Sequence, residues 1–131
     1  MELLGVVYIL TNTWKTTLYT GVTRDLRRRV AEHKLHLNNG FTAKHYTDTL
    51  VYYEVYDKLE DAIHREKQLK KWHRDWKEKA IIDFNPEWRD LAGDIGVDED
   101  YLLAVKSAYE CGQYVAGSDR EEIAGQARDE G

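Results

Sequence analysis

Cysteine, proline and long hydrophobic runs are nearly absent from this sequence of 131 residues, which contains one cysteine, Cys111, and one proline, Pro86. A single cysteine excludes an internal disulfide framework and a four-cysteine zinc site. The apolar run near the N-terminus is far too short to span a bilayer, and no basic segment precedes it as in a secretion signal. We therefore predict a cytoplasmic protein without a membrane partner.

Charge is divided unevenly along the chain, whose net charge is −5. Residues 1–91 carry 16 basic against 14 acidic residues, a net charge of +2, whereas residues 92–131 carry 3 against 10, a net charge of −7. Such asymmetry predicts a main domain over 1–91 and an acidic C-terminal extension over 92–131. The overall acidity therefore does not exclude nucleic acid as a partner of the main domain.

The hydrophobic pattern predicts the element order ββαβαα. Runs rich in β-branched and aromatic residues predict strands at residues 6–10, 18–22 and 50–56. Helical periodicity predicts helices at about residues 25–37, 59–72 and 75–84. This order favours an α+β fold, with a small three-stranded antiparallel sheet flanked by helices. The extension is predicted to hold a linker-like stretch, one helix near 101–109 and a disordered end.

Two tyrosines are predicted to meet in the hairpin of the first two strands. Alternate residues of a strand share a face, so Tyr19 and Gly21 lie on one side of the second strand. The hairpin can bring Tyr8 beside Tyr19, and Gly21 leaves room for a backbone or a ligand. Each tyrosine alone is more typical of packing than of a site.

An arginine-rich helix follows this hairpin. Arg29 and His33 are four residues apart, so they share one face of the helix. Arg27 and Arg28 are candidates for binding nucleic acid, although a run of arginines is also typical of a solvated face.

A carboxylate interrupts the apolar stripe of the second predicted helix. Glu66 lies one turn from Ala62 and three residues from Leu69. A buried carboxylate costs free energy unless it is paired or binds a metal. Two interpretations follow: a residue at the edge of the stripe paired with a lysine or arginine, or a ligand for a hard divalent cation such as Mg²⁺, which accepts one carboxylate and keeps its waters.

The segment from residue 65 to 79 is basic and contains two tryptophans. It holds seven basic and three acidic residues, a net charge of +4, interleaved with Trp72 and Trp76. This composition suits phosphate contact and base stacking, and equally a solvated helix. The additional nucleic-acid-binding candidates are Lys67, Lys70, Lys71 and Arg74.

Four of these elements occur in the order found in one nuclease superfamily. The chain resembles the GIY-YIG nucleases, and specifically the small single-domain bacterial members that are similar to an excision-repair endonuclease. The resemblance covers about residues 5–91 and rests on the V-V-Y ending at Tyr8, the Y-T-G beginning at Tyr19, and the positions of Arg29 and Glu66. It implies a GIY-YIG endonuclease-like fold and metal-assisted hydrolysis of phosphodiester bonds in DNA, with one Mg²⁺ or Mn²⁺ and no organic cofactor.

The resemblance also implies roles for individual residues. Glu66 would hold the metal ion, and Arg29 would neutralise charge in the transition state. A free phenol has a pKa of about 10, so a tyrosine that acts on water needs help near neutral pH. Tyr8 is the better candidate base, Tyr19 the water-orienting partner, and His33 a helper. Gly21 would be the structural glycine of the site.

Two positions depart from the family pattern. Many members have a lysine or arginine directly after the glycine of the second motif, where this chain has Val22. Many also have an asparagine about a dozen residues after the metal-binding glutamate, where this chain has Glu78. Asn85, in the turn before the proline, is the candidate to reach the same region.

Three functions stay open from the sequence. The first is a metal-dependent endonuclease that is structure-selective or repair-related. The second is a non-catalytic nucleic-acid-binding module of the same fold. The third is an interaction protein whose acidic extension docks a protein partner or covers the basic face. The complete set of tyrosines, arginine and glutamate favours the first, because a pure binder needs no carboxylate on a buried stripe.

Overall fold

The structure, a computed structural model, describes residues 4–37, 46–114 and 116. The main-domain elements are β1 (Gly5–Thr11), β2 (Leu18–Thr23), α1 (Leu26–Lys34), β3 (Thr49–Tyr56), α2 (Leu59–Lys71) and α3 (Arg74–Phe84). A 3-10 turn (Gly93–Ile95) and helix α4 (Glu99–Glu110) follow. The chain end beyond residue 116, predicted to be disordered, lies outside the described residues. In the described part of the chain, no helix is long and apolar enough to cross a membrane.

The three strands form one antiparallel sheet in the order β2-β1-β3, so β1 is central. Tyr8 pairs with Gly21 on one side and with Tyr53 on the other. Every residue of β1 is buried, as expected for a strand covered on both faces. The α+β fold class predicted from the element order is confirmed.

The sheet lies between two helical layers. On one face the side chains of Tyr8 and Leu10 pack with Val30 of α1. On the other face β1 presents Val7 and Ile9 to the helices α2 and α3. The apolar residues of those helices that pack there are Ala62, Leu69 and Ile81. The alternation of β1 thus assigns one layer of helices to each face.

Helix α1 is shorter than predicted. Asp25 caps its start, because the carboxylate accepts a hydrogen bond from the Arg28 backbone N–H at 3.1 Å. The helix ends at Lys34 rather than at residue 37. His36 adopts a left-handed φ of 55°, and the Leu37 N–H donates to the Glu32 carbonyl at 3.0 Å. This Schellman-type closure stops the helix one turn before the predicted stop, whose Asn38-Asn39-Gly40 lies outside the described residues.

The linker-like interpretation of the stretch after residue 91 is wrong. Ala92 and Val97 are buried in the same cluster as Tyr8 and Val30, and α4 adds the buried Val105. Small apolar side chains within a stretch rich in Gly and Asp are enough to dock the segment on the core. The domain boundary at residue 91 stays a prediction, and the described part of the extension packs on the α1 side of the sheet.

Gly5 is required for the close approach of α2 to β1. A Cβ at Gly5 would lie 2.6 Å from the Ala62 Cβ and 2.9 Å from the Leu59 Cα. We expect Gly5→Ala to lower the free energy of unfolding by about 1–3 kcal/mol through overpacking, measured as a lower urea midpoint at unchanged m-value. Gly93→Ala is the matched control, because a Cβ there meets nothing within 4 Å. Equal midpoints for the two variants would contradict this account of the α2–β1 contact.

Candidate active site

Tyr8, Tyr19 and His33 form one buried aromatic cluster between the sheet and α1. The ring centroids lie 6.3 Å apart for the two tyrosines, 6.0 Å for Tyr8 and His33, and 5.6 Å for Tyr19 and His33. The Tyr8 hydroxyl lies 3.3 Å from the His33 Nε2. The structure thus brings together the two predicted tyrosines and the predicted histidine.

Gly21 makes this cluster possible. It pairs with Tyr8 across the hairpin, and a Cβ on Gly21 would lie 2.6 Å from the Tyr8 Cζ and hydroxyl oxygen and 3.1 Å from the Tyr19 Cε2. Separations under 3.0 Å cannot be accommodated without movement of the phenol. The space beside Gly21, which the sequence predicted to be open for a backbone or a ligand, is therefore filled by the Tyr8 ring.

His33 is held in its neutral form. Burial is the main cause that lowers the pKa of His33 from 6.5 to about 3, and the charge of Arg29 lowers it further. In the tautomer with its proton on Nδ1, the Nε2 accepts the hydrogen bond of the Tyr8 hydroxyl. An imidazole of so low a pKa is a weak base, so this arrangement orients the phenol rather than removing its proton.

Arg29 lies beside this cluster in a buried ion triad. Its guanidinium is fully buried and pairs with Glu32, which is also fully buried. The Arg28 Nε lies 3.3 Å from the second oxygen of the same carboxylate. Two guanidinium groups share one carboxylate, so the triad keeps a net charge of +1. A phosphate can contact Arg29 directly only after its surroundings rearrange.

Sequence reasoning did not identify Glu32. The available signal was its spacing, because residues three and four positions earlier on a helix share its face and both are arginines. That spacing alone predicts an exposed helical pair. The triad is buried by tertiary packing, which helical spacing alone does not reveal.

Glu66 lies in the other helical layer. Its helix, α2, packs its buried stripe against the sheet face of Val7 and Val22. Its side chain is fully buried, and the Lys70 Nζ lies 3.4 Å from the carboxylate. Glu66 therefore has the basic partner of the first interpretation but lies on the buried stripe rather than at its edge, and its role as a metal ligand stays a prediction.

The resemblance implies a divalent metal ion, and Glu66 is the carboxylate that would bind it. No group of three or more His, Cys, Asp and Glu side chains that could hold a metal occurs among residues 4–37 and 46–114. One carboxylate still fits a hard divalent ion that keeps most of its waters. Lys70 already neutralises Glu66, so an ion that binds this carboxylate competes with the ammonium group.

Two of the arginines predicted to bind nucleic acid, Arg27 and Arg28, contact the C-terminal extension. The Arg27 Nε donates to the Gly96 carbonyl at 3.1 Å, and its guanidinium lies 4.0 Å from the centroid of the Tyr101 ring. The Arg28 guanidinium lies 5.8 Å from the centroid of Tyr114. Burial, and then the nearby negative charge of Glu32, raises the pKa of Tyr114 to about 12. The extension therefore packs on this part of α1, and Arg27 itself stays exposed beside it.

Arg74, another predicted nucleic-acid contact, holds the hairpin loop to α3. Its guanidinium donates to the carbonyls of Lys15 and Thr16 at 2.7 and 2.9 Å and to Glu78 at 2.8 Å. Of the predicted basic candidates on α2, Lys67 and Lys71 are exposed, and Lys70 is the partner of Glu66. The exposed lysines of α2 are thus within five residues of Glu66 in the sequence.

Asn85 has a structural role in the turn after α3. Its side-chain amide donates to the carbonyls of Val51 and Arg89 at 3.2 and 2.8 Å, and its oxygen accepts from the Arg89 N–H at 3.1 Å. These bonds fasten the following segment to β3. They account for the buried amide without a role at the site.

The comparisons with known proteins agree with the architecture. A family model described as the GIY-YIG catalytic domain matches residues 4–79. UPF0213 proteins of Streptococcus pyogenes serotype M5 (strain Manfredo) and serotype M1 are each 42% identical over 55 residues. Those residues make up 42% of this chain and 60% of the length of these relatives. No solved structure gives a significant match.

The lowered pKa of His33 makes stability depend on pH. The unfolded histidine binds a proton below about pH 6.5, whereas the folded one binds it only near pH 3. The stability that neutral His33 contributes to the folded state is therefore complete above pH 6.5 and is lost as the pH falls toward 3. We expect wild-type protein to lose about 2 kcal/mol of unfolding free energy between pH 7 and pH 5, measured by urea denaturation. His33→Gln should abolish this loss, and replacing the exposed His64 by Gln should preserve it. A pH dependence shared by all three proteins would contradict this assignment.

Proposed function

We propose that this chain, which belongs to the GIY-YIG catalytic domain family, is a metal-dependent endonuclease that hydrolyses phosphodiester bonds in DNA. The observation that carries the proposal is the Tyr8 hydroxyl held 3.3 Å from the His33 Nε2, in a cluster bordered by Arg29. A buried phenol has a hydrogen-bond partner in most proteins, so what favours a site is the combination of this bond with a buried arginine on the same helix as His33.

The residues of the cluster divide the chemistry among them. His33 fixes the direction of the Tyr8 hydroxyl, which orients the attacking water or accepts its proton. The weak basicity of His33 means that a lower phenol pKa has to come from nearby positive charge. Arg29 supplies part of that charge, and its guanidinium suits two oxygens of the phosphate in the transition state. Tyr19 is the second water-orienting group.

Glu66 would hold the metal ion. When bound there, Mg²⁺ or Mn²⁺ polarises the phosphate and stabilises the leaving oxygen. Lys70 would leave the carboxylate as the ion binds, and its ammonium group would then be available to a phosphate of the DNA. The exposed Lys67 and Lys71 on the same helix extend this positive surface. The exposed lysines lie on the solvent side of α2 and Glu66 on its buried side, so a phosphate bound along α2 would reach Glu66 only as Lys70 moves away.

Structure-selective cutting, in DNA repair or a related process, is the substrate preference that we propose. The domain is small and has limited surface for reading a long sequence, so the shape of a nicked, flapped or branched DNA is the feature it can distinguish. A cytoplasmic location is part of the same proposal.

A second role is favoured by the contacts of the extension. Arg27 and Arg28 lie against the Tyr101 and Tyr114 rings, so the acidic extension competes with phosphates for these two side chains. In this role the extension regulates DNA binding, and a protein partner that engages the extension would expose the arginines.

The endonuclease proposal is tested with nicked, flapped and branched DNA in Mg²⁺ or Mn²⁺. We expect cleavage by the wild type, and a loss of about 100-fold or more in Glu66→Gln because metal catalysis contributes several kcal/mol. Tyr8→Phe should also lose about 100-fold or more because it removes the group that acts on the water. Initial cleavage rates on denaturing gels measure both effects.

Glu60→Gln is the control for these variants, since Glu60 is an exposed carboxylate in the first turn of the same helix. It should cleave at the wild-type rate. Undiminished cleavage by Glu66→Gln would exclude the proposed metal role. A wild-type protein that binds these DNAs without cutting them would favour the non-catalytic binding module.

Covering of α1 by the extension is tested with Tyr101→Ala. Removing the ring frees Arg27, so we expect tighter DNA binding and a salt slope steeper by about one unit for one added phosphate contact. Fluorescence anisotropy at several salt concentrations measures both. Tyr101→Phe keeps the ring and Leu103→Ala changes an exposed residue of the same helix, so both should bind like the wild type. An unchanged salt slope in Tyr101→Ala would exclude the covering role.

A further inference from the structure

A groove lined by tryptophans lies on the surface at the start of α3. It has a volume of about 260 Å³, and its lining residues are Trp72, Trp76, Lys79, Ala80 and Asp83. This volume lies just below the range of pockets that bind whole drug-sized molecules, so the groove suits a single flat group. The role of these tryptophans is not explained by the tyrosine cluster, which lies in the other layer.

The two indole rings meet at a right angle. Their centroids are 5.9 Å apart and their planes are inclined by 82°. The Arg65 guanidinium lies 5.0 Å from the centroid of Trp72, whereas Trp76 is 55% exposed. Trp76 also makes an edge contact with His73, with centroids 5.7 Å apart. A flat ligand can therefore stack on the exposed part of the Trp76 indole, beside the Trp72 ring.

The charge around the groove indicates which aromatic ligand fits. The segment from residue 65 to 79 has a net charge of +4, and the exposed Lys71 adjoins Trp72 in sequence. At the rim, Lys79 and Asp83, whose charges cancel, form a long, solvent-exposed pair at 3.5 Å. A surface pair of this kind contributes little and opens readily. A ligand that combines a flat ring with a negative backbone is complementary to this surface.

We propose that the tryptophan groove, defined by Trp72, Trp76, Lys79, Ala80 and Asp83, is a stacking site for an unpaired nucleobase of single-stranded DNA. Stacking on aromatic side chains beside a basic surface is the means by which proteins bind single strands without reading sequence. A base inside a duplex has its faces covered by its neighbours, so only an unpaired base can enter. The site rests on the proposed function and specifies an unpaired segment as part of the substrate.

The groove is close enough to Glu66 to act on the same strand. Trp72 follows Glu66 by six residues along α2, which is about 9 Å at the rise of an α-helix. This distance corresponds to about three nucleotides of a stacked strand. A base held in the groove therefore keeps the neighbouring phosphates within reach of the α2 lysines and of Glu66.

Binding of an unlabelled single-stranded oligonucleotide of twelve thymidines tests the proposal. Titrations use the Glu66→Gln background, so that the oligonucleotide stays intact, and follow intrinsic tryptophan fluorescence. We expect quenching on binding, and Trp76→Ala should weaken binding by about 5- to 150-fold and remove most of the quenching. Trp76→Phe, which retains a stacking ring, should recover most of the affinity.

Trp14→Ala is the matched control, because Trp14 is 74% exposed and lies outside the groove. It should bind like the background protein. Equal affinities for Trp76→Ala and Trp14→Ala, with thermal melting showing both folded, would overturn the stacking site. A change in oligomeric state in Trp76→Ala without a change in oligonucleotide affinity would overturn it also, since it would assign the groove to a second copy of the chain.

These binding results are independent of catalysis. If the protein fails to cut any DNA but Trp76→Ala loses affinity, the stacking site stands and the endonuclease proposal fails. If cleavage occurs and Trp76→Ala binds and cuts flapped DNA like the wild type, the endonuclease proposal stands and the stacking site fails.

Discussion

The contact of the Tyr8 ring with the bare backbone of Gly21 is the constraint on which the site depends. β1 is buried on both faces, so the large phenol can be placed only where the neighbouring strand has no side chain. That placement directs the hydroxyl to His33 on α1. The hydrogen bond then links the sheet to the helix that carries Arg29. Loss of the open space at Gly21 would alter the sheet, the phenol and the arginine helix together.

Local pattern was sufficient for the sheet, because alternation and β-branched runs place strands regardless of what covers them. It was sufficient for the tyrosine cluster as well, since strand alternation fixes the faces of Tyr19 and Gly21. The end of α1 was not predictable in this way. Glycine adopts the left-handed conformation that ends a helix most readily, which favours Gly40 as the stop, whereas in the structure His36 adopts it. A histidine in that conformation is uncommon, and only the completed closure of the helix favours it.

The errors concerning the extension have a common physical cause. A stretch rich in Asp and Gly has the composition of a linker, but a few apolar side chains decide whether it is buried, here Ala92, Val97 and Val105. Their docking brings the Tyr101 and Tyr114 rings over α1 and helps to bury Glu32. The Arg28–Glu32–Arg29 triad is consequently a tertiary feature. A buried triad of this kind is weak evidence for stability, since desolvation offsets much of the attraction. Its main structural consequence is the orientation that it gives to Arg29.

The two faces of the sheet carry different site residues, and the strand order restricts where both sets can reach the same phosphate. Tyr8, Tyr19 and the α1 residues lie on one face, whereas Glu66 belongs to the layer on the other. β1 is flanked by strands on both sides, so within the described residues the two layers can act on one phosphate only around an edge or an end of the sheet, and β2 is the edge strand that carries Tyr19. Tyr19 lies on that edge strand, and α2 packs against it through Val22. A DNA strand that follows the α2 lysines to this edge would pass Glu66 before it reaches the tyrosines. The proposed mechanism would therefore use an edge approach, in which Glu66, as the residue that would hold the metal ion, and Tyr19 would reach the phosphate from opposite faces of the sheet.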